Sequence, residues 1–418
     1  MNNRIEGIQG VTPQDSPENK GAIISGGGAN LSRVRAHNER LVLSLVRDEP
    51  LPRAEIARRS GLSAQTITLI TRDLTSDGLL HAGEPIKGKV GQPSVPLKLK
   101  ADGAYFMGLK LGRRSAELIV MNFVGDIVLK RLEHYRYPTP ELIADFMRRE
   151  IPSLSAQLGA DSAKRLHGIG IAMPYELWDW SEKLGAPQTL MDSWREFSFA
   201  DALADVCDLP VLVENDATSA CGAELTFGRG RQYSDFAYFF IGYFIGGGLA
   251  INGAVYRGQS GNAGAFGSLP VIDNNATSGV SQLIDTASIQ LFENNALSTG
   301  NLDSEYIAHD ADIWETDSAQ LQQWLEKLAN SLALAIVSIS SIVDVGVIVI
   351  DGGFPDSIKD RVVAMTRSAL DKLDTKGIRS PEIIAGLIGP DARALGAARL
   401  PLFSRFLLDE TVLTRASG

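Results

Sequence analysis

The sequence predicts an α/β protein built as a winged helix-turn-helix followed by a two-lobed body. Three observations carry that expectation. Two short amphipathic segments flank a glycine near residue 60. The charge changes sign along the chain: residues 31–100 hold 12 Lys and Arg against 7 Asp and Glu, a net of +5, and residues 101–418 hold 26 against 40, a net of −14. Beyond residue 101, strand-like apolar runs alternate with amphipathic helical ones, as in layered α/β folds. At 418 residues, two or three domains are expected.

Residues 1–30 are polar, rich in Gly and without periodicity, and are expected to form a disordered arm. Residues 31–100 form the basic unit. Leu41, Val42, Leu45 and Val46 have helical spacing, ended by Pro50. Arg53–Arg59 reads as a second helix with Ile56 and Ala57 inward, and Gly61 supplies the backbone freedom for a tight turn. Ser63 is a good N-cap for a third helix, whose apolar stripe is Ile67, Ile70 and Leu74.

The opposite face of that helix offers Gln65, Thr66, Thr68 and Arg72, small or amide-bearing side chains and a guanidinium that can reach base edges. This is helix-turn-helix spacing, with the second helix of the pair entering the major groove. Gly78-Leu79-Leu80 ends the helix and starts a strand. A turn-rich hairpin carrying Lys87 and Lys89 then returns as Val95-Pro96-Leu97, the pattern of a wing whose lysines would sit on phosphates. Arg53, Ser63, Gln65, Thr66, Thr68, Arg72, Lys87 and Lys89 are the expected DNA-binding residues, and double-stranded operator DNA is the expected partner.

No apolar run reaches about 20 uncharged residues, so a membrane span is not expected. The N-terminus lacks the apolar segment of a secretory signal. Cys207 and Cys221 make neither a disulfide framework nor a metal cluster, which fits a reducing cytoplasm. His37, His81, His134, His167 and His309 match no metal-ligand spacing, and neither metal nor cofactor is expected.

In the body, "AYFMGLKLG" and "AELIVMNFVGDIVLKRLEHY" read as strands, "ELIADFMRREIPSLSAQL" as a helix, and "LHGIGIAMP" as a buried strand. "LPVLVENDATSACGAELTFG" passes from strand to helix. "FAYFFIGYFIGGGLAINGAVYRG" reads as two strands meeting at three glycines, and a long helix precedes the strand ending on Gly352-Gly353. Each half opens on strand-turn-strand units, which predicts two lobes with a cleft between them.

The order "GIGIAMP", "APQTLMDSW", "VLVENDATSACGAE", "GGGLAINGAVYRGQSGNAGAFG", "VIVIDGGF" and "IGPDARALGAARL" resembles the ROK family of repressors, open reading frames and kinases, over about residues 31–405. With the winged helix in front, it resembles the xylose and N-acetylglucosamine repressor branch. The resemblance implies a pair of actin-like (hexokinase-type) lobes: residues 101–212 as the small lobe, completed by 393–418, and 213–392 as the large lobe. It also implies a sugar in the cleft and a homodimer or homotetramer.

Where the family's kinases carry an Asp-containing glycine loop, this chain has "LKLGRRSA". Lys110 stands in place of the Asp, and Arg113 and Arg114 in place of small residues. The Gly-Thr-Gly loop is matched by Gly242-Tyr243-Phe244, whose two rings would fill phosphate space. Both departures speak against ATP, because phosphoryl transfer depends on positioning and electrostatics.

Asn215-Asp216 matches the family pair that binds sugar hydroxyls, although Asp216 also suits a helix cap. Gln188 stands where the family usually has Asn, and Tyr175 where it often has Gly. In "GNAGAFGSLP" the family reads Ala-Gly-Glu-x-Gly-His. Ala265 and Ser268 replace its sugar-binding Glu and zinc-binding His behind Gly264. Tyr175, Gln188, Asn215, Asp216, Gly264, Ala265 and Ser268 are therefore the expected ligand residues. Three readings stay open: a sugar-responsive repressor without kinase activity, an active sugar kinase with an accessory DNA-binding domain, and a ligand-independent DNA-binding scaffold.

Overall fold

The computed structural model describes residues 26–85, 94–273, 276–298, 314 and 318–408. Helix α1 spans Gly26–Asp48, so it begins inside the segment expected to be a disordered arm. Once Val42, Leu43 and Val46 dock in the core, the helix propagates backwards, helped by an Arg35–Glu39 pair at i,i+4 spacing (2.8 Å).

Helices α2 (Arg53–Ser60) and α3 (Ala64–Ser76) turn at Gly61, which sits at φ 69°. The Ser63 hydroxyl accepts from the Thr66 amide at 3.1 Å, as an N-cap should. Ile56, Ile67, Ile70 and Leu74 are buried, and the predicted stripe is the one that packs. Strand β1 (Leu80–Ala82) pairs antiparallel with β2 (Leu97–Leu99). The returning strand starts two residues later than expected, because Pro96 has no amide to donate and Val95 is exposed. Leu51 bridges Leu97, tying the α1–α2 connection to this wing.

The body contains two five-stranded sheets of one topology. The first comprises β3 (Tyr105–Leu111), β4 (Ser115–Asn122), β5 (Ile127–His134), β6 (Leu166–Met173) and β7 (Val211–Asn215), in the order β5-β4-β3-β6-β7. The second comprises β8 (Phe236–Ile241), β9 (Ile245–Ile251), β10 (Ala254–Tyr256), β13 (Val347–Gly352) and β14 (Glu382–Ala385), in the order β10-β9-β8-β13-β14. The hairpin β11 (Pro270–Ile272) and β12 (Val280–Gln282) stands apart. In each large sheet an antiparallel three-strand meander joins two parallel strands. The expected lobe boundary after residue 212 falls inside β7, a strand of the first sheet, so that lobe runs at least to Asn215.

The three glycines expected at a strand junction lie within β9 instead; the turn is at Gly242–Phe244. Their smallness serves packing. A Cβ at Gly248 would come within 2.6 Å of the Cys221 Cβ on the helix Asp216–Phe227, and one at Gly247 within 2.1 Å of the Phe266 ring.

The helix Ala392–Arg405 returns to the first lobe and wedges between its sheet and the helix Asp216–Phe227. Contact is backbone to backbone: a Cβ at Gly170 would lie 1.8 Å from the Ala397 carbonyl, and one at Gly396 1.8 Å from the Ser219 carbonyl. The far end of this helix closes the winged-helix core. Leu402, Phe406 and Leu407 join Val42, Val46, Ile67 and Leu80 in one buried cluster with Phe106 and Phe123 of the first lobe. The head and the first lobe therefore share a core.

The helix Ala319–Val343 is long and apolar enough to cross a membrane, yet half of its most apolar stretch is buried. Trp324 packs inside and its indole N–H donates to the Ser288 carbonyl at 2.9 Å. Asp344 ends this helix at φ 53°, and β13 follows into the core, as the sequence pattern predicts.

Candidate functional site

On the head, Gln65, Thr68, Leu69 and Arg72 form the exposed stripe of α3, at positions i, i+3, i+4 and i+7. Thr66 lies half-buried at its edge, with its hydroxyl 2.9 Å from that of Ser63. The Thr68 hydroxyl donates to the Ala64 carbonyl at 2.8 Å, leaving its methyl for an approaching surface. Arg53 donates to the Thr71 hydroxyl at 2.9 Å and so braces α2 on α3. Arg72 rests on Asp73 at 3.1 Å, which Arg35 also holds at 3.0 Å. Leu69, 46% exposed, has no place in the core stripe; sequence reasoning passed over it because a leucine is normally assigned inward. Lys87 and Lys89 lie outside the described residues.

Between the lobes is a cleft of about 480 Å³. It brings together Tyr175, Asn215, Asp216, Gly264, Ala265 and Ser268 of the expected set. Gln188 is not brought in. Its carboxamide donates to the Trp178 carbonyl at 3.1 Å and to Asp192 at 3.0 Å, and its oxygen accepts from the Ser181 hydroxyl. It organises the Leu177–Asp192 segment instead. Trp194 is also a core residue, buried, with its indole N–H on the Pro138 carbonyl at 3.2 Å.

Asp216 does not cap its helix. Asn215 does, its side-chain oxygen accepting from the Ala217 and Thr218 amides at 3.1 and 3.0 Å. Asp216 is the first helical residue. One oxygen accepts from the Ala217 amide at 3.0 Å, and the other lies 3.6 Å from the Arg393 guanidinium. Capping commits the Asn215 oxygen and leaves its amide N–H groups as the part available to a ligand. Gly264, at φ 78°, presses within 2.7 Å of the Gly248 backbone if given a Cβ, so no side chain fits there. The small-residue run at 261–270 thus forms a close-packed wall of the cleft, with Ala265 and Ser268 facing in.

A family model described as the ROK family matches residues 106–402. The chain belongs to the ROK family. A xylose repressor of Bacillus subtilis (strain 168) is 26% identical over 244 residues, covering 58% of this chain and 62% of the repressor. This chain therefore aligns with rather less than two thirds of that relative. Among solved structures, a ROK family transcriptional regulator described as a homologue of the E. coli MLC protein superposes with a TM-score of 0.64 at 19% identity, covering 92% of this chain and 99% of that one. A ROK family glucokinase from Streptomyces griseus, in complex with glucose and AMPPNP, gives 0.53 at 23%, covering 71% and 99%. Both structures share the fold, the first including its N-terminal part.

Against the ROK pattern, the two loops read as departures meet each other. The Arg113 guanidinium, between β3 and β4, packs on Phe244 at 4.5 Å and Trp180 at 4.6 Å. Arg114 lies over Tyr243 at 5.5 Å and donates to its hydroxyl at 3.4 Å. Cation–π contacts thus join the lobes at the two positions matched to kinase phosphate loops. Lys110 donates to the Ser115 hydroxyl at 2.8 Å and to its carbonyl at 3.2 Å. Burial, reinforced by the Arg393 charge, lowers its pKa to about 7. Arg393 and Trp180 are cleft residues the sequence reading missed. Arg393 comes from the last helix, nearly 180 residues beyond Asp216, and no local spacing announces their meeting.

Proposed function

We propose that this ROK protein is a DNA-binding transcriptional regulator, a repressor of carbohydrate uptake or catabolism genes, whose interlobe cleft takes a sugar-type effector and does not transfer phosphate. One observation carries the reading: the helix Ala392–Arg405 has one end in the cleft and the other in the reading head. Arg393 lines the cleft beside Asp216. At the other end, the Phe403 and Leu407 carbonyls accept from the Arg40 guanidinium of α1 at 2.7 and 3.0 Å, and the Leu408 amide donates to the Ser44 hydroxyl at 2.9 Å. A ligand that prefers one lobe arrangement would shift this helix and the head it holds, provided it binds the two arrangements unequally.

In this reading α3 enters the major groove, with Gln65, Thr68, Leu69 and Arg72 at base edges, Arg53 and Ser63 near the backbone, and Lys87 and Lys89 on phosphates. Thr66 supports the N-terminus of the helix. Two heads on a symmetric dimer would read a two-fold operator. The repressor name of the Bacillus relative supports this assignment, and the Arg113–Phe244 and Arg114–Tyr243 contacts support the absence of kinase activity. The test is titration of the full chain with duplex DNA from upstream of its own gene, over a salt series. Binding that weakens steeply with salt and keeps a preference over scrambled duplex is expected. Failure to hold any duplex at low salt contradicts the reading.

A further inference from the structure

We propose that the cleft takes a small polyhydroxylated molecule bearing an oxyanion, a carboxylate or a phosphate, seated between Arg113 and Arg393. The proposal rests on the effector reading above and adds the chemical class of the effector.

Arg113 is 9% exposed and lines the cleft. Among the described residues its guanidinium has no ion pair and no hydrogen bond, and its Nε is buried without a partner. Its contacts are the Trp180 and Phe244 rings. Stacking covers the face of a guanidinium and leaves its N–H edge needing acceptors. The Arg393 Nε is also buried without a partner, and its pairing with Asp216 at 3.6 Å is longer than a hydrogen bond. Phe240 covers its face at 4.7 Å.

Two forked donors, each backed by an aromatic ring, thus face a space in which Asp216 is the one buried carboxylate beside them. Behind them Lys110, bonded among the described residues to the hydroxyl and carbonyl of Ser115, adds a third basic group, which the buried Glu117 carboxylate near it offsets in part. Burying a cation without an acceptor is costly, and a ligand oxyanion would satisfy both forks in bidentate geometry. Burial lowers the Arg113 pKa to about 10, and the Arg393 charge adds to that shift against the opposing pull of Asp216. The acids at the mouth do not neutralise this floor. Glu176 and Glu182 are exposed, and Asp179 is committed to Arg195 at 3.2 Å. Glu176, Glu182 and Asp216 remain to accept from hydroxyls.

The full chain is titrated by calorimetry with glucose, xylose and sorbitol, and with glucuronate, gluconate and glucose 6-phosphate. The expected result is that at least one charged compound binds about tenfold or more tightly than its neutral counterpart. Comparing the acids with the phosphate ester separates the two oxyanions. Arg113→Gln and Arg393→Gln should each weaken the charged ligand by about tenfold or more, and Arg113→Lys by less. Thermal unfolding of each variant checks that it folds, and either one suffices. Neutral sugars binding as tightly as the charged ones, or charged ligands indifferent to both substitutions, overturns the proposal and leaves the effector reading standing. If no compound of either kind binds, both fall.

Discussion

Arg113 of the first lobe lies 4.5 Å from the ring of Phe244 in the second, joining two stretches whose sequence departs from the kinase pattern. The contact is a cation–π bridge between the lobes, and Arg114 repeats it on Tyr243. A chain closed at this point is expected to sense rather than to react. Incubated with ATP, magnesium and a sugar panel, it should release no ADP above background. Turnover that vanishes in Asp216→Asn would contradict this.

Phe244 is 5% exposed, so Phe244→Ala removes both a packed ring and the support of Arg113. A loss of about 3–5 kcal/mol is expected, by analogy with buried Phe→Ala changes. Chemical denaturation measures it; a loss below about 1 kcal/mol would mean that the inter-lobe bridge contributes little.

The exposed stripe of α3 predicts how specificity divides. Gln65→Ala should cost about 1–3 kcal/mol on the operator and relax base preference, whereas Lys87→Ala should weaken all duplexes alike and reduce the salt slope. Leu69→Ala should reduce operator affinity while changing stability by no more than about 0.5 kcal/mol, because the side chain is already in solvent. If Leu69→Ala binds the operator as wild type does, the groove-facing stripe is misplaced.

At the seam between head and body, His167 lies against Phe406 with ring centroids 4.9 Å apart and against Phe106 at 6.3 Å. Burial, with the nearby Arg405 charge, lowers its pKa to about 4. The unfolded chain, titrating near 6.5, then binds more protons between about pH 6.5 and 4, so stability falls as the pH falls through that window. Half-burial limits the loss to roughly 1–2 kcal/mol. Denaturation midpoints at pH 7 and pH 4.5 should differ less in His167→Phe than in wild type; equal pH dependence would exclude His167 as the source.

The head was legible in the sequence because its signals are local. A glycine turn, a serine cap and a 3-4 apolar stripe each act within one or two helical turns, and Gly61, Ser63 and Ile67-Ile70-Leu74 take their predicted places. The body's succession of strands and helices and the position of Asp216 in the cleft were legible through motif order, whereas the order of strands within each sheet was not. What escaped depends on distant packing. Gly246–Gly248 looked like a turn because the helix that crowds them is not adjacent in sequence. Gln188 is the exception: it was expected as a ligand because it stands where the family usually has Asn, and its carboxamide is instead claimed locally by Trp178 and Asp192. The start of α1 at Gly26 was hidden by three glycines whose low propensity is overridden once the helix is anchored downstream.

Removing Arg40 should separate gripping DNA from hearing the cleft. Arg40→Ala deletes the hydrogen bonds to Phe403 and Leu407, and a cost of about 1–3 kcal/mol is expected for leaving these carbonyls unsatisfied. The variant should still bind duplex, with a smaller response to effector than wild type. An unchanged response would mean that this junction does not carry the signal.

The most direct measurement is the operator affinity of the full chain, by fluorescence anisotropy, with the cleft empty and with it saturated by any ligand that raises the melting point. The account predicts a change of about tenfold or more, equivalent to about 1.4 kcal/mol of coupling. An operator affinity identical with and without such a ligand would contradict it.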